Sequence, residues 1–293
     1  MGAKNFTEQV VLGELVAQEI EAEFAREGRS QRVERRFYLA GSYLCQQALV
    51  SGRIDTYVEY TGTALTAILK QPLPPLGERD AATVLATVRR LYAARYGVAV
   101  EGPLGFEDTF AMVVRGEDAR RLGLRSISDV VKMSNPTSGE RPPDMGHPGG
   151  STPRLLRLGV GYEFESRPDG LAGLEAAYGL RFAGQPRTMD LGLLYRALEE
   201  GQVDMVAGNS TDGAIRSLGF AVLADDRHYF PPYEAVPLVR EDALRRWPEI
   251  QRAMDRLAGK VSAEEVQAMN DAVDGRHEDV GEIVRGFRER KGL

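Results

Sequence analysis

The chain has 293 residues, 43% hydrophobic and 27% charged, a globular composition long enough for one large domain or two lobes of about 100–150 residues each. With 37 basic against 43 acidic side chains the formal net charge is −6, and the sequence has neither the basic surplus nor the basic stripe of a nucleic-acid binder. The lone Cys45 excludes a structural disulfide and a cysteine-rich zinc site, and the scattered His147, His228 and His277 argue against a histidine-rich metal centre. No apolar run approaches the roughly 18 residues of a membrane-spanning helix.

Met1-Gly2-Ala3-Lys4-Asn5-Phe6 leads almost directly into a helical pattern, with no charged n-region and no apolar h-region. A secreted protein without its leader, a domain cut from a longer chain and a cytosolic protein all begin this way. The spacing of Val10, Val11, Leu15, Ile20 and Phe24 predicts a helix over 7–25, with Thr7 as N-cap and Gly28 as its stop. Val33 to Leu39 reads as a short strand, Gly41-Ser42 as the cap of a second helix, and Thr56 to Tyr60 as a strand. A helix over 80–96 and a strand from Ala111 to Val114 follow; the alternation resumes after Pro186, and Arg240 to Arg290 reads as mostly helical. Strands alternating with helices predict an α/β fold with a mainly parallel sheet.

The chain echoes itself. Ala48-Leu49-Val50-Ser51-Gly52-Arg53-Ile54-Asp55 resembles Ala197-Leu198-Glu199-Glu200-Gly201-Gln202-Val203-Asp204, and each copy runs on into a polar turn. Two such units predict two similar lobes with their loops at the carboxyl ends of strands, where open α/β sheets place ligands. A helix–Gly–strand turn also recurs in α/β proteins without any duplication. Between the copies, residues 133–153 hold five prolines and four glycines, Pro136 to Pro153, which predicts a long surface loop.

No nucleophile elbow, phosphate loop or dinucleotide fingerprint is present, and no carboxylate pair is singled out by an apolar setting. Polar and aromatic side chains gather instead at predicted strand ends: Tyr60, Thr61 and Thr63; Asp108, Thr109 and Phe110; Asn209, Thr211 and Asp212; and Tyr233. Aromatic faces suit a quaternary ammonium, which donates no hydrogen bonds and is drawn to the ring quadrupole. Each ring taken singly is equally a packing residue; Tyr43, Tyr57 and Tyr162 are assigned to packing. Arg167 precedes Pro168-Asp169-Gly170, a turn expected to present its guanidinium, a group suited to gripping a carboxylate. Lys4 reads alone as a mobile terminal lysine.

Five ordered motifs carry a family resemblance: Gly2-Ala3-Lys4-Asn5-Phe6-Thr7-Glu8-Gln9, Glu59-Tyr60-Thr61-Gly62-Thr63-Ala64-Leu65, Glu163-Phe164-Glu165-Ser166-Arg167-Pro168-Asp169-Gly170, Ser210-Thr211-Asp212-Gly213 and Phe230-Pro231-Pro232-Tyr233. Together they resemble the substrate-binding proteins of osmoprotectant ABC importers, the binders of glycine betaine, choline and carnitine. The resemblance implies a type II periplasmic-binding-protein fold, two α/β lobes joined by two crossovers with a ligand trapped between them. Lobe 1 would take 1–107 and 212–293 and lobe 2 residues 108–211, with 133–153 an inserted loop and hinges near Gly105 and Gly208. The implied aromatic box maps onto Tyr60, Phe110, Asn209 and Tyr233. The carboxylate-holding residues map onto Lys4, Thr63 and Arg167, and a backbone carbonyl near Asp108 adds a contact. Asn5 and Thr211, inside the same motifs, complete the candidate ligand set.

Two positions depart from the family pattern. Phe110 and Asn209 stand where tyrosines are usual, and the missing wall at Asn209 would weaken binding of a simple betaine by about tenfold. The amide leaves room for a bulkier zwitterion such as carnitine, ergothioneine or an amino-acid derivative. The implied function is capture of a small zwitterionic quaternary amine and delivery to an ABC permease and its ATPase. It requires no catalysis, cofactor or metal, and the implied binder is a monomer located in the periplasm or otherwise outside the cytoplasm. A lipid-anchored form, a permease-fused form and a sensory ligand-binding domain are the alternatives.

Overall fold

The fold is seen in a computed structural model that describes residues 1–73, 75, 79–134 and 155–293. Its strands in chain order are β1 Thr56–Tyr60, β2 Val98–Val100, β3 Phe110–Arg115, β4 Leu158–Val160, β5 Arg187–Thr188, β6 Met205–Asn209, β7 Phe220–Leu223 and β8 Ala235–Arg240. The described residues divide into two units. Unit 1 holds Met1–Thr109, Thr211–Ser217 and Pro231–Leu293; unit 2 holds Phe110–Ser210 and Leu218–Phe230. The chain thus passes between units four times, where the resemblance implied two crossovers. Residues 218–230, expected with lobe 1, go with unit 2 because β7 pairs antiparallel with β3. Among the described residues no helix is long and apolar enough to cross a membrane.

In unit 1 the sheet order is β1-β8-β2, and both pairings are antiparallel. The mainly parallel sheet expected from the alternation is therefore not found here: the central strand comes from late in the chain and runs against both neighbours. One face packs on a core that includes Leu49, Tyr57, Leu65, Val88, Tyr92 and Leu238. The Thr7–Arg26 helix packs against Pro248–Leu257, Ala263–Asp274 and Val280–Lys291. These C-terminal helices carry clear start signals, with Pro248 in the first turn, a capping box of Ser262 with Glu265, and Asp279 accepting from the Glu282 amide at 3.0 Å. At the centre of the helical layer Glu19 is fully buried and takes hydrogen bonds from Arg26, Arg256 and Arg288.

Two local expectations fail for physical reasons. Thr7 is not the N-cap: Phe6 occupies that position without a side-chain bond, and the Thr7 hydroxyl donates instead to Asp274 at 2.5 Å. Val33 to Leu39 forms only an isolated parallel bridge, Gly2 with Arg36. Tyr38 and Ala40 take positive φ of 60° and 69°, outside extended geometry, so pairing past the bridge is irregular, the Leu39 amide bonding to Ala3 and the Asn5 amide to Ala40.

Unit 2 has the sheet order β5-β4-β6-β3-β7. The β4 strand is parallel to β5 and β6, while β3 is antiparallel to β6 and β7, so parallel pairing is confined to half of this sheet. The proline- and glycine-rich stretch lies outside the described residues from 135 onward; Met133 and Ser134, expected in that loop, close the Ile127–Ser134 helix.

The internal echo is a repeated turn, one copy in each unit. After the Ser42–Val50 helix the amides of Gly52, Arg53 and Ile54 donate to the carbonyls of Leu49, Ala48 and Ala48. In the second copy Gly201, Gln202 and Val203 donate to Leu198, Ala197 and Ala197, the same register. Both glycines are left-handed, with φ of 73° and 68°, the conformation that ends a helix most cheaply at glycine.

Candidate functional site

In unit 1 the site begins at the end of β1. Strand geometry stops at Tyr60, and Thr61–Thr63 turns into a short π-helix, Ala64–Ile68, leaving Tyr60 at the junction. The Tyr60 hydroxyl donates to Glu8 at 2.6 Å, and the Lys4 ammonium lies 4.8 Å from the ring centroid. Lys4 is no mobile terminal side chain: it is 3% exposed and forms a buried ion pair with Glu59. Glu59 also accepts the Tyr60 amide at 2.8 Å and the Tyr57 hydroxyl at 3.2 Å.

Asp108 and Thr211 join this cluster from the points where the chain leaves and re-enters unit 1. The Asp108 amide donates to the Tyr233 carbonyl at 3.0 Å, and its carboxylate accepts the Thr211 amide at 3.3 Å. The Thr211 hydroxyl donates to Glu8. Asn270 donates to Glu8 at 3.1 Å and to the Thr211 carbonyl at 3.1 Å. Burial raises Glu8 to about 7, against the donors Thr211, Tyr60 and Asn270. Burial, with the charges of Glu8 and Asp212, holds Asp108 well above the usual carboxylate range. Burial and the charge of Glu8 likewise push the Tyr60 phenol well above its ordinary value.

Tyr233 and Gly62 meet so closely that only glycine fits. A Cβ on Gly62 would lie 2.6 Å from Cε1 of Tyr233 and 2.9 Å from the Pro232 carbonyl oxygen. The Gly62→Ala variant is therefore expected to push the Tyr233 ring aside and lose about 1–3 kcal/mol of stability, read as a lowered midpoint of thermal unfolding; an unchanged midpoint would show that the ring yields freely. Thr63 is buried in the same turn, whereas Asn5 is exposed, its amide bonded to the Ala40 carbonyl at 3.0 Å.

In unit 2 the first residue of β3, Phe110, stands opposite the last residue of β6, Asn209. The Phe110 ring meets Phe164 edge-on with centroids 4.9 Å apart and Phe230 at 5.9 Å. The Arg167 guanidinium lies 4.8 Å from the Phe110 centroid. The Tyr162–Ser166 helix ends at Arg167, which takes extended φ/ψ ahead of Pro168, as the proline ring demands. The expectation that this turn presents Arg167 outward needs correction. The side chain is 4% exposed and its fork donates to Asp169 at 2.9 and 2.5 Å, because a buried guanidinium requires a carboxylate partner.

The candidates thus fall into two groups, Lys4, Asn5, Tyr60, Thr63, Asp108, Thr211 and Tyr233 in unit 1 and Phe110, Arg167 and Asn209 in unit 2. Sequence reasoning did not select Glu8, Glu59, Phe164 and Phe230, although all four stand inside the motifs it quoted. Asn270 carried no local signal. Tyr57 packs as expected, whereas Tyr43 and Tyr162 are exposed rather than packed.

Residues 1–290 match the family described as the substrate binding domain of ABC-type glycine betaine transport system. The chain is 32% identical to a glycine-betaine-binding protein of Pseudomonas aeruginosa, over 98% of this chain and 86% of that protein. It is 29% identical to a carnitine transport binding protein of Listeria monocytogenes, over 99% of this chain and 85% of that protein. Among solved structures, a crystal structure of a glycine betaine/carnitine/choline ABC transporter protein superposes with a TM-score of 0.76 at 27% identity, covering 99% of this chain and 97% of the other.

Proposed function

The chain belongs to the family of substrate-binding domains of ABC-type glycine betaine transport systems, and from that premise we propose that its ligand is a small betaine-type zwitterion, a quaternary ammonium bearing a carboxylate. The family comprises transport proteins and not enzymes; its two-lobed α/β fold is that of periplasmic solute-binding proteins, and its members serve a membrane permease from outside the cytoplasm. In this reading Tyr60, Tyr233 and Phe110 offer ring faces to the ammonium. Lys4, Thr63 and Arg167 take the carboxylate, and Asn5, Asp108, Asn209 and Thr211 line the remainder. The binder acts as a monomer, in the periplasm or at a lipid anchor, and its permease is driven by a partner ATPase.

One observation supports this reading above the rest. In each unit a candidate cation lies beside a candidate ring, Lys4 at 4.8 Å from Tyr60 and Arg167 at 4.8 Å from Phe110. A ring face attracts the positive end of a zwitterion and a cation attracts its negative end, so both halves of a betaine find a match in either pair. Choline has the first half alone.

A thermal-shift panel of glycine betaine, proline betaine, carnitine, choline and ergothioneine tests the assignment. A betaine present at 100 times its dissociation constant is expected to add about 2.7 kcal/mol of stability. Choline, lacking the charge-assisted bonds to carboxylate, is expected to bind roughly 10–100-fold more weakly than the best betaine. A midpoint raised by choline alone, or by ordinary amino acids alone, would overturn the ligand class.

A further inference from the structure

Glu8 is a buried acid in the first turn of the Thr7–Arg26 helix, 2% exposed, and it faces the Tyr60 hydroxyl rather than a basic residue. One carboxylate oxygen accepts from Tyr60 at 2.6 Å; the other accepts from the Thr211 hydroxyl and from Asn270 at 3.1 Å. Three segments distant in sequence, β1, the return of the chain at Thr211 and the Ala263–Asp274 helix, are thereby tied to one acid. We propose that Glu8 is a positioning residue of the ligand site: its carboxylate fixes the Tyr60 ring and Thr211 through their hydroxyls and sets negative charge behind that ring, so that a cation binding on the ring expels a proton from the Glu8 cluster. The inference rests on the reading that Tyr60 receives the ligand's ammonium.

The physical chain is short. A phenol that donates to a carboxylate becomes more electron-rich, because bonds to ionised groups polarise their partners. An electron-rich ring, with an anion behind it, holds a cation more firmly. The ionisable groups around Glu8 are Tyr60 from β1, Asp108 and Asp212 at the two ends of the excursion into unit 2, and Lys4 over the Tyr60 ring, itself paired with Glu59. On the Asn270 helix the acids nearest Asn270 in sequence are Asp271, paired with Arg276, and Asp274, which accepts from Thr7; Glu264 and Glu265 stand in its first turn, Glu265 paired with Lys291. Burial puts Glu8 at about 7 and keeps Asp108 well above its usual range, so the cluster carries an exchangeable proton near neutrality. Only the ionised acid favours a cation, so affinity rises with pH.

The test is calorimetric titration of glycine betaine and carnitine into the wild type, Glu8→Gln and Tyr60→Phe from pH 5.5 to 8.5, in buffers of differing ionisation enthalpy. The wild type is expected to tighten about tenfold across this range, equivalent to a one-unit change in the acid's pKa on binding, with net proton release near pH 7. Glu8→Gln is expected to bind at the wild type's low-pH affinity and show a flat profile. Tyr60→Phe retains the ring but removes a donor that favours the ionised acid, so its midpoint should move to higher pH. Binding that is pH-independent in the wild type, or a Glu8→Gln profile matching the wild type, overturns this proposal alone. Absence of binding by the wild type at every pH overturns the ligand class, and this proposal with it.

Discussion

Replacing Glu19 by Ala is expected to lower the free energy of unfolding by about 3–5 kcal/mol, the usual cost of removing one partner from a buried ionic cluster. The Glu19 side chain is 0% exposed, and one oxygen accepts from Arg26 and Arg256, each at 3.0 Å. The other accepts both arms of the Arg288 fork, at 3.0 and 2.7 Å. This carboxylate joins the Thr7–Arg26, Pro248–Leu257 and Val280–Lys291 helices. Without it Arg288 loses its carboxylate, while Arg26 and Arg256 keep Glu23 beside them. The Arg26 and Arg256 side chains are 39% exposed and re-solvate in part, but Arg288, at 14%, does not.

Glu19→Gln keeps the volume and some of the hydrogen bonds, and is expected to lose about half as much. Burial pushes the Glu19 carboxyl up, but the Arg288 and Arg26 bonds and charges outweigh it and hold the group below its ordinary 4.5. A depressed acid contributes stability above its unfolded value, and that contribution is lost as pH falls through its folded value. The Gln deficit should therefore be complete at pH 7 and shrink below about pH 4. Urea unfolding at the two pH values checks both statements. An Ala variant within 1 kcal/mol of the wild type, of the order of an exposed ion pair, would mean that the arginines re-solvate at little cost.

Tyr233→Ala carries the second large effect, and it acts on folding as well as on binding. Tyr233 is 2% exposed and its ring rests on the Gly62 backbone. Emptying that volume is expected to cost about 3–5 kcal/mol. Loss of ligand binding by this variant alone would not distinguish a missing ring contact from a collapsed site. Tyr233→Leu refills much of the space without a π face, so it should be clearly more stable than the Ala variant. It should still bind a betaine about tenfold more weakly than the wild type. Tyr233→Phe keeps the face and should bind within about threefold, since only a hydroxyl is lost. Equal affinities for the Leu and Phe variants would remove Tyr233 from the proposed aromatic set.

The sequence by itself determined several helices and turns and the identity of the motifs. The period of Val10, Val11, Leu15 and Ile20 located the first helix, Asp80 and Gly97 bracket the Ala81–Tyr96 helix, and the two Gly52/Gly201 turns recur with the same bonds. Each of these is decided within a few residues by backbone geometry and capping. The motif residues Lys4, Tyr60, Thr211 and Tyr233 were also legible there, as members of ordered segments.

Only the tertiary structure decided which of them meet and in what electrical state. Glu8 is bonded to residues 203 and 262 positions away, Thr211 and Asn270, and nothing near Asn270 in sequence marks it for that role. Strand direction was likewise non-local, since β8 arrives from the C-terminal third and makes the unit 1 sheet antiparallel. Burial was the other hidden quantity. Arg167 and Lys4 read as displayed cations, yet both are buried and paired with Asp169 and Glu59. A charge removed from water must find its opposite in the fold, and which carboxylate comes within reach is fixed by packing rather than by any local pattern.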